Sequence, residues 1–91
     1  MRDGRNIYKA QKLIKVKVKY DDRIREIEIN GDFFLHPEES IADLERMLVG
    51  VETNKEKIRQ KVKEFLSSGV EAFGFDAETM SEAIIGAIKV D

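Results

Sequence analysis

Within nine positions the chain gathers a dense set of side chains able to do chemistry: Asp32, Phe33, Phe34, His36, Glu38, Glu39 and Ser40. Ser40, His36 and Asp32 make a nucleophile–base–acid set on paper. Groups so near in sequence rarely assemble one, and no nucleophile elbow surrounds the serine. His36 is the only histidine and the chain has no cysteine, so no ligand spacing for a transition metal exists. Glu38 and Glu39 follow Pro37, where carboxylates favour the positive end of a helix dipole over acid–base work. Just upstream, Gly31 supplies a sterically open backbone where a strand ends. Asp32 either caps nearby N–H groups or meets a ligand or partner. Phe33 and Phe34 are adjacent, so in extended backbone they point to opposite faces. One enters the core, and the other covers a helix end, a partner or a ligand. Alternation with Ile27 and Ile29 assigns Phe33 to the core and Phe34 to the outside.

Charge is the second chemical feature. Up to Tyr20 the chain carries Arg2, Arg5, Lys9, Lys12, Lys15, Lys17 and Lys19 against Asp3, a balance of +6. The formal net charge of −2 therefore leaves −8 on the remainder. A positive first fifth on an acidic body attracts nucleic acid, a phosphorylated ligand or an acidic protein. Arg5, Tyr8, Lys9 and Lys12 mix cations with an aromatic, as single-stranded nucleic-acid binders do. The acidic body opposes a long polyanion, however, and no RNA-module pattern is present. Residues 1–12 read as a basic N-terminal arm that faces a phosphate or a partner. The six glycines form neither a phosphate-binding loop nor a dinucleotide fingerprint.

The elements that must position these groups follow from periodicity. Residues 13–20 alternate strictly, with Ile14, Val16, Val18 and Tyr20 on one face and Lys15, Lys17 and Lys19 on the other. Residues 24–30 repeat the pattern, so the two runs predict an antiparallel hairpin across Asp21-Asp22-Arg23. A register with Ile27 and Ile29 on the core face sets Glu26 and Glu28 beside the lysine row, where opposite charges contribute roughly 0.2–1 kcal/mol each. Phe33 and Phe34 then start a short third strand or an irregular crossing, giving a sheet over 13–35.

Three helices follow, over 37–49, 54–67 and 77–89. Pro37 suits a first turn, with Ser40 and Asp43 as a competing start, and Ile41, Leu44 and Leu48 form the apolar stripe before Gly50. Thr53 and Glu56 offer a capping box for the second helix, which buries Ile58, Val62, Phe65 and Leu66. Residues 70–75 make an apolar connector across the core edge. Asp76 caps the third helix, whose buried face is Met80, Ala83, Ile84, Ala87 and Ile88, with Ile85 off the stripe.

Ninety-one residues make a single α+β domain spanning 1–91, small enough to bury only about 60–65% of its unfolded surface, so a partner surface helps it. Charged residues are 37% of the chain, above the ordinary share of about 25%. Without cysteine there is no disulfide, thiolate site or cysteine nucleophile. The N-terminus has no apolar run for a signal peptide, and no stretch approaches the ~18 apolar residues of a membrane span. The expectation is a cytoplasmic protein with no membrane partner.

Ile29-Asn30-Gly31-Asp32-Phe33-Phe34, then Leu44-Glu45, then Leu48-Val49-Gly50, resembles the C-terminal accessory domain of lipoate–protein ligases. In that family a β-hairpin runs into an I-x-G-D-F-F segment and an acidic helix ending in L-x-G. The likeness covers the hairpin through the third helix. It implies a small antiparallel meander packed against three helices, similar to iron–sulfur scaffold and sulfur-acceptor folds, whose sulfur chemistry the missing cysteines exclude. It also implies a separately encoded, archaeal-type accessory subunit that is not catalytic alone. The partner would be a catalytic ligase subunit, which binds lipoate and ATP with magnesium, forms lipoyl-adenylate and passes the lipoyl group to a lysine of an acceptor lipoyl domain. Related members carry a basic tract ending Gly-Lys-Leu-Ile before the first strand; here it reads Gln11-Lys12-Leu13-Ile14. The expected partner- or ligand-facing residues are Lys9, Lys12, Gly31, Asp32, Phe34 and His36, with Lys9 and Lys12 toward phosphate. No catalytic or metal residue, bound cofactor or nucleic-acid partner is expected. The alternatives are a protein-interaction adaptor unrelated to lipoate and a small nucleic-acid-binding module.

Overall fold

Alternating side chains fold the first third of the chain into a sheet, and three helices close over its apolar face. The computed structural model describes residues 1–88, in the order β1 (Arg2–Lys9), β2 (Leu13–Tyr20), β3 (Ile24–Gly31), β4 (Phe34–His36), α1 (Ser40–Leu48), α2 (Lys55–Leu66), β5 (Glu71–Phe73) and α3 (Ala77–Ala87). Strands β1, β2 and β3 form an antiparallel meander in that order. Ile14, Val16, Val18 and Tyr20 of β2 are buried with Ile24 and Ile29 of β3, against Leu44, Leu48, Ile58, Val62, Phe65, Met80 and Ile84 of the helices. This is the α+β meander with three helices that the sequence predicts. Its membership differs.

Residues 1–12 are not an arm. Residues 2–9 are β1, paired with β2 from Arg2↔Tyr20 to Lys9↔Leu13. The strand lacks an apolar stripe because its inward face, Gly4, Asn6 and Tyr8, meets α3 at close range. A Cβ on Gly4 would collide with the Ala87 carbonyl oxygen. Asn6 lies against Gly86 and donates from Nδ2 to the Ala83 carbonyl at 3.0 Å. Polar and steric fit here replaces the apolar pattern from which strands are read.

The short third strand expected in the 13–35 sheet does not join it. Phe34–His36 pairs instead with Glu71–Phe73 as a separate antiparallel ribbon, so the 70–75 connector contains a strand. The break comes at Gly31, where a Cβ would overlap the Leu13 carbonyl oxygen; the following Asp32 N–H donates to that oxygen at 3.0 Å. This turn also ends the alternation that placed Phe33 in the core. Phe33 is half-buried at the core margin, edge-to-face with buried Phe75 at a centroid distance of 5.0 Å.

Helix α1 begins at Ser40 rather than Pro37, whose carbonyl accepts the Ser40 N–H at 3.1 Å in a turn; Glu39 is the N-cap, without a side-chain bond. Gly50 follows the Val49 C-cap at φ 91°, a left-handed conformation that favours glycine. The cap of α2 is Asn54 and not Thr53. Asn54 Oδ1 accepts the N–H groups of Glu56 at 2.9 Å and Lys57 at 3.2 Å, while Thr53 Oγ1 donates to the Asp22 carbonyl at 3.2 Å. Asp76 and Thr79 form a reciprocal capping box on α3. This helix ends at Ala87 with Ile88 as an extended C-cap, short of the expected 77–89, and residue 89 itself lies outside the described residues. Arg59 joins α2 to α3 through Glu82 and through Glu78 at 2.7 Å.

On the open face of the sheet Lys19 stands opposite Glu26, paired at 3.7 Å, and Lys17 opposite Glu28. Lys15 stands opposite Asn30, so the carboxylates do not reach the whole lysine row.

Candidate functional site

The turn at Gly31 carries the chain off the main sheet and presents β4 outward. In the β4–β5 ribbon Leu35 faces inward and is buried, so the alternate residues Phe34 and His36 must face out. Their cross-strand partners are Phe73 and Glu71, which share that outer face. Phe34 is 69% exposed and Phe73 55% exposed, an aromatic pair left in water. A Phe side chain carries about 150–250 Å² of apolar surface, so leaving two adjacent rings uncovered forgoes several kcal/mol of burial. Beside Phe34 lies a groove of about 290 Å³, lined by Ile29, Asn30, Gly31, Phe33, Glu38 and Ile41 among others. Its walls are apolar, with backbone edges and one carboxylate at the rim. Such a surface suits an apolar side chain of a protein partner better than a small charged ligand.

Of the expected residues, Gly31, Asp32, Phe34 and His36 are brought together along this segment. Asp32 is exposed, and its side chain makes no hydrogen bond among the described residues, so it caps nothing there. Lys12 joins them from the β1–β2 turn. Its N–H donates to the Gly74 carbonyl at 3.0 Å, and its stem lies so near Gly74 that a Cβ there would approach Lys12 Cγ to 2.6 Å. Lys9 does not join. It ends β1 on the open face of the main sheet, opposite Leu13. Lys9 and Lys12 therefore serve different faces.

Sequence reasoning missed Phe73 and Glu45. Phe73 was hidden inside an apolar connector: period two sets Phe73 and Phe75 on one face, and only the bend at Gly74, with φ 100°, turns Phe73 outward while Phe75 stays buried. Glu45 lies on α1, half-buried, and its Oε2 accepts the Ile29 N–H at 2.7 Å, fixing α1 to the β3 edge below the groove. Only the spatial meeting of helix and strand reveals it. Among the described residues no group of three or more His, Asp or Glu is placed to hold a metal ion, and no helix is long and apolar enough to cross a membrane.

Comparison with known proteins adds a family. Residues 13–87 match the model for the bacterial lipoate protein ligase C-terminus. The chain is 42% identical over 79 residues to lipoate-protein ligase A subunit 2 of Thermoplasma acidophilum, covering 85% of this chain and 82% of that protein. Its fold superposes with TM-score 0.84 and 35% identity, covering 98% of both chains, on a chain from the archaeal lipoylation system of the same organism, described as a bipartite lipoate protein ligase and its E2 lipoyl domain. The structural match takes in the meander, GDFF turn and helices, the family model covers all of these except β1, and the chain belongs to the lipoate–protein ligase C-terminal domain family.

Proposed function

We propose that this chain is the accessory subunit of a two-component lipoate–protein ligase and acts in the cytoplasm. The observation that carries the reading is the exposed Phe34–Phe73 pair beside its apolar groove, on a chain that superposes end to end on part of a bipartite ligase. The pair docks against the catalytic subunit. That subunit takes lipoate and ATP with magnesium as substrates and joins the carboxylate to the α-phosphate, releasing pyrophosphate. It then transfers the lipoyl group from the adenylate to a lysine of a lipoyl domain, releasing AMP.

The accessory chain contributes closure. A mixed anhydride hydrolyses unless water is excluded, and a domain seated over the adenylation site excludes it and completes the site. Gly31 lets the docking segment approach closely, and Phe34 anchors it. Asp32 and His36 lie on the rim, and Lys12 is the cation nearest the segment, positioned to meet a phosphate of the bound nucleotide. Lys9 acts from the neighbouring face.

Mixing tests this reading. The purified chain alone should release no pyrophosphate from ATP and lipoate, and adding it to the catalytic subunit should restore that release. ATP turnover by the chain alone would overturn the proposal, as would a catalytic subunit equally active without it.

A further inference from the structure

Beyond the aromatic segment, the open face of the meander carries a second constellation. Ile7 is 68% exposed near the end of β1. Its neighbours on the same face are fixed by pairing: Arg5 and Lys9 two residues away on β1, Lys15 directly across on β2, with Lys17 and Leu13 on the diagonals. A β-branched apolar side chain thus stands at the centre of four exposed cations. None of the four makes an ion pair among the described residues. The row of Lys9 runs to Leu13 and that of Lys15 to Asn30, so the carboxylates that approach the ring, Asp3, Glu26 and Glu28, gather on its Arg5–Lys17 side and leave the Lys9–Lys15 side without one. Farther along the sheet the pattern changes. Asp3, Lys19 and Glu26 share one row, and Lys19 is paired. The unbalanced charge is confined to the end where Ile7 lies.

We propose that this Ile7-centred ring is a docking surface for an acidic, apolar-centred patch on the catalytic subunit; the proposal rests on the accessory-subunit reading and adds a second contact to it. Charge complementarity selects the occupant. Four like charges crowded on two paired strands repel one another, and carboxylates on a partner relieve that repulsion while steering its approach. Ile7 decides between an acidic protein and a polyphosphate or nucleic acid. An aliphatic side chain offers a phosphate nothing and has no π-face on which a base can stack, whereas an apolar centre inside a polar rim is the ordinary anatomy of a protein interface. The acidic remainder of this chain, at −8 beyond Tyr20, repels such a partner elsewhere and so orients it.

The two parts of the ring should fail differently. Rim charges set association rate and salt dependence, and a buried apolar centre sets dissociation rate. Binding of the full chain to the purified catalytic subunit is measured by surface kinetics across roughly 0.05–0.5 M salt. Lys15→Glu should slow association by about tenfold at low salt and flatten the salt dependence. Ile7→Ser should speed dissociation by about tenfold with association nearly unchanged. Both sites are exposed, so melting temperatures should match the parent chain. A generic single-stranded oligonucleotide should bind more weakly than the catalytic subunit. Wild-type binding with unaltered kinetics in both variants overturns this proposal and leaves the accessory-subunit reading intact. Failure of the wild-type chain to bind the catalytic subunit overturns both. An oligonucleotide that binds more tightly than the catalytic subunit, and is lost in Lys15→Glu, makes the ring a polyanion site and overturns the protein-docking assignment.

Discussion

Adjacent phenylalanines with opposite environments allow a direct test of which apolar surface is structural. Phe34 is 69% exposed, so about a third of its surface is already buried. Truncating a fully buried Phe to Ala costs about 3–5 kcal/mol. A third of that makes Phe34→Ala worth about 1–1.5 kcal/mol of stability, or roughly 4–10 °C in a domain of this size. Phe33 is half-buried and meets Phe75 edge-to-face at 5.0 Å. Losing that burial and a ring pair of about 0.5–1.5 kcal/mol makes Phe33→Ala worth about 2–4 kcal/mol. Binding should rank the other way. If Phe34 anchors the complex, its loss removes a central aromatic contact and weakens affinity for the catalytic subunit by about 30-fold, equivalent to ~2 kcal/mol. Phe33→Ala should leave the affinity of the folded fraction within about threefold. Urea unfolding and titration calorimetry measure the two quantities separately. Equal stability losses in both mutants, with unchanged affinity in Phe34→Ala, would show that the segment is simply buried structure and would refute the anchoring argument.

Gly4→Ala should lower the urea midpoint by about 1–3 kcal/mol equivalent, because the new Cβ meets the immobile Ala87 carbonyl rather than a side chain; an unchanged midpoint would mean β1 is not clamped by α3. Asp21 accepts the Arg23 N–H at 3.0 Å and the Arg25 side chain at 2.8 Å, and these bonds lower its pKa from 3.8 to about 2. A depressed carboxyl pKa contributes stability that is fully present above the unfolded value and is lost as pH falls through the folded one. The acid limb of a stability–pH curve should therefore be shallower in Asp21→Asn between about pH 4 and 2, and an identical limb would contradict it. Asp76→Ala removes the α3 cap and should cost about 0.5–2 kcal/mol, whereas Asp76→Ser should recover most of it in the same melt.

Local chemistry made much of this protein legible. Strict alternation in residues 13–20 and the isoleucines of 24–30 determine the hairpin, because only a half-buried strand satisfies a period of two. Leu44, Leu48, Ile58, Val62, Met80 and Ile84 recur at helical spacing and are all buried, and Asp76 announces the start of its helix through a bond made within four residues. Phe34 could be placed outward, and the GDFF wording pointed to the family, from residues adjacent in the chain. What tertiary structure alone decided depends on groups far apart in sequence. Strand β1 escapes pattern reading because its inward contacts are a glycine against a helix carbonyl and an asparagine bonded 77 residues away. The exposed ring of Phe73 gains meaning only when pairing sets it opposite Phe34, and Ile7 only when register surrounds it with cations. Periodicity reports which side of an element is apolar. It cannot report which element lies across from it, and that juxtaposition turns single exposed residues into surfaces.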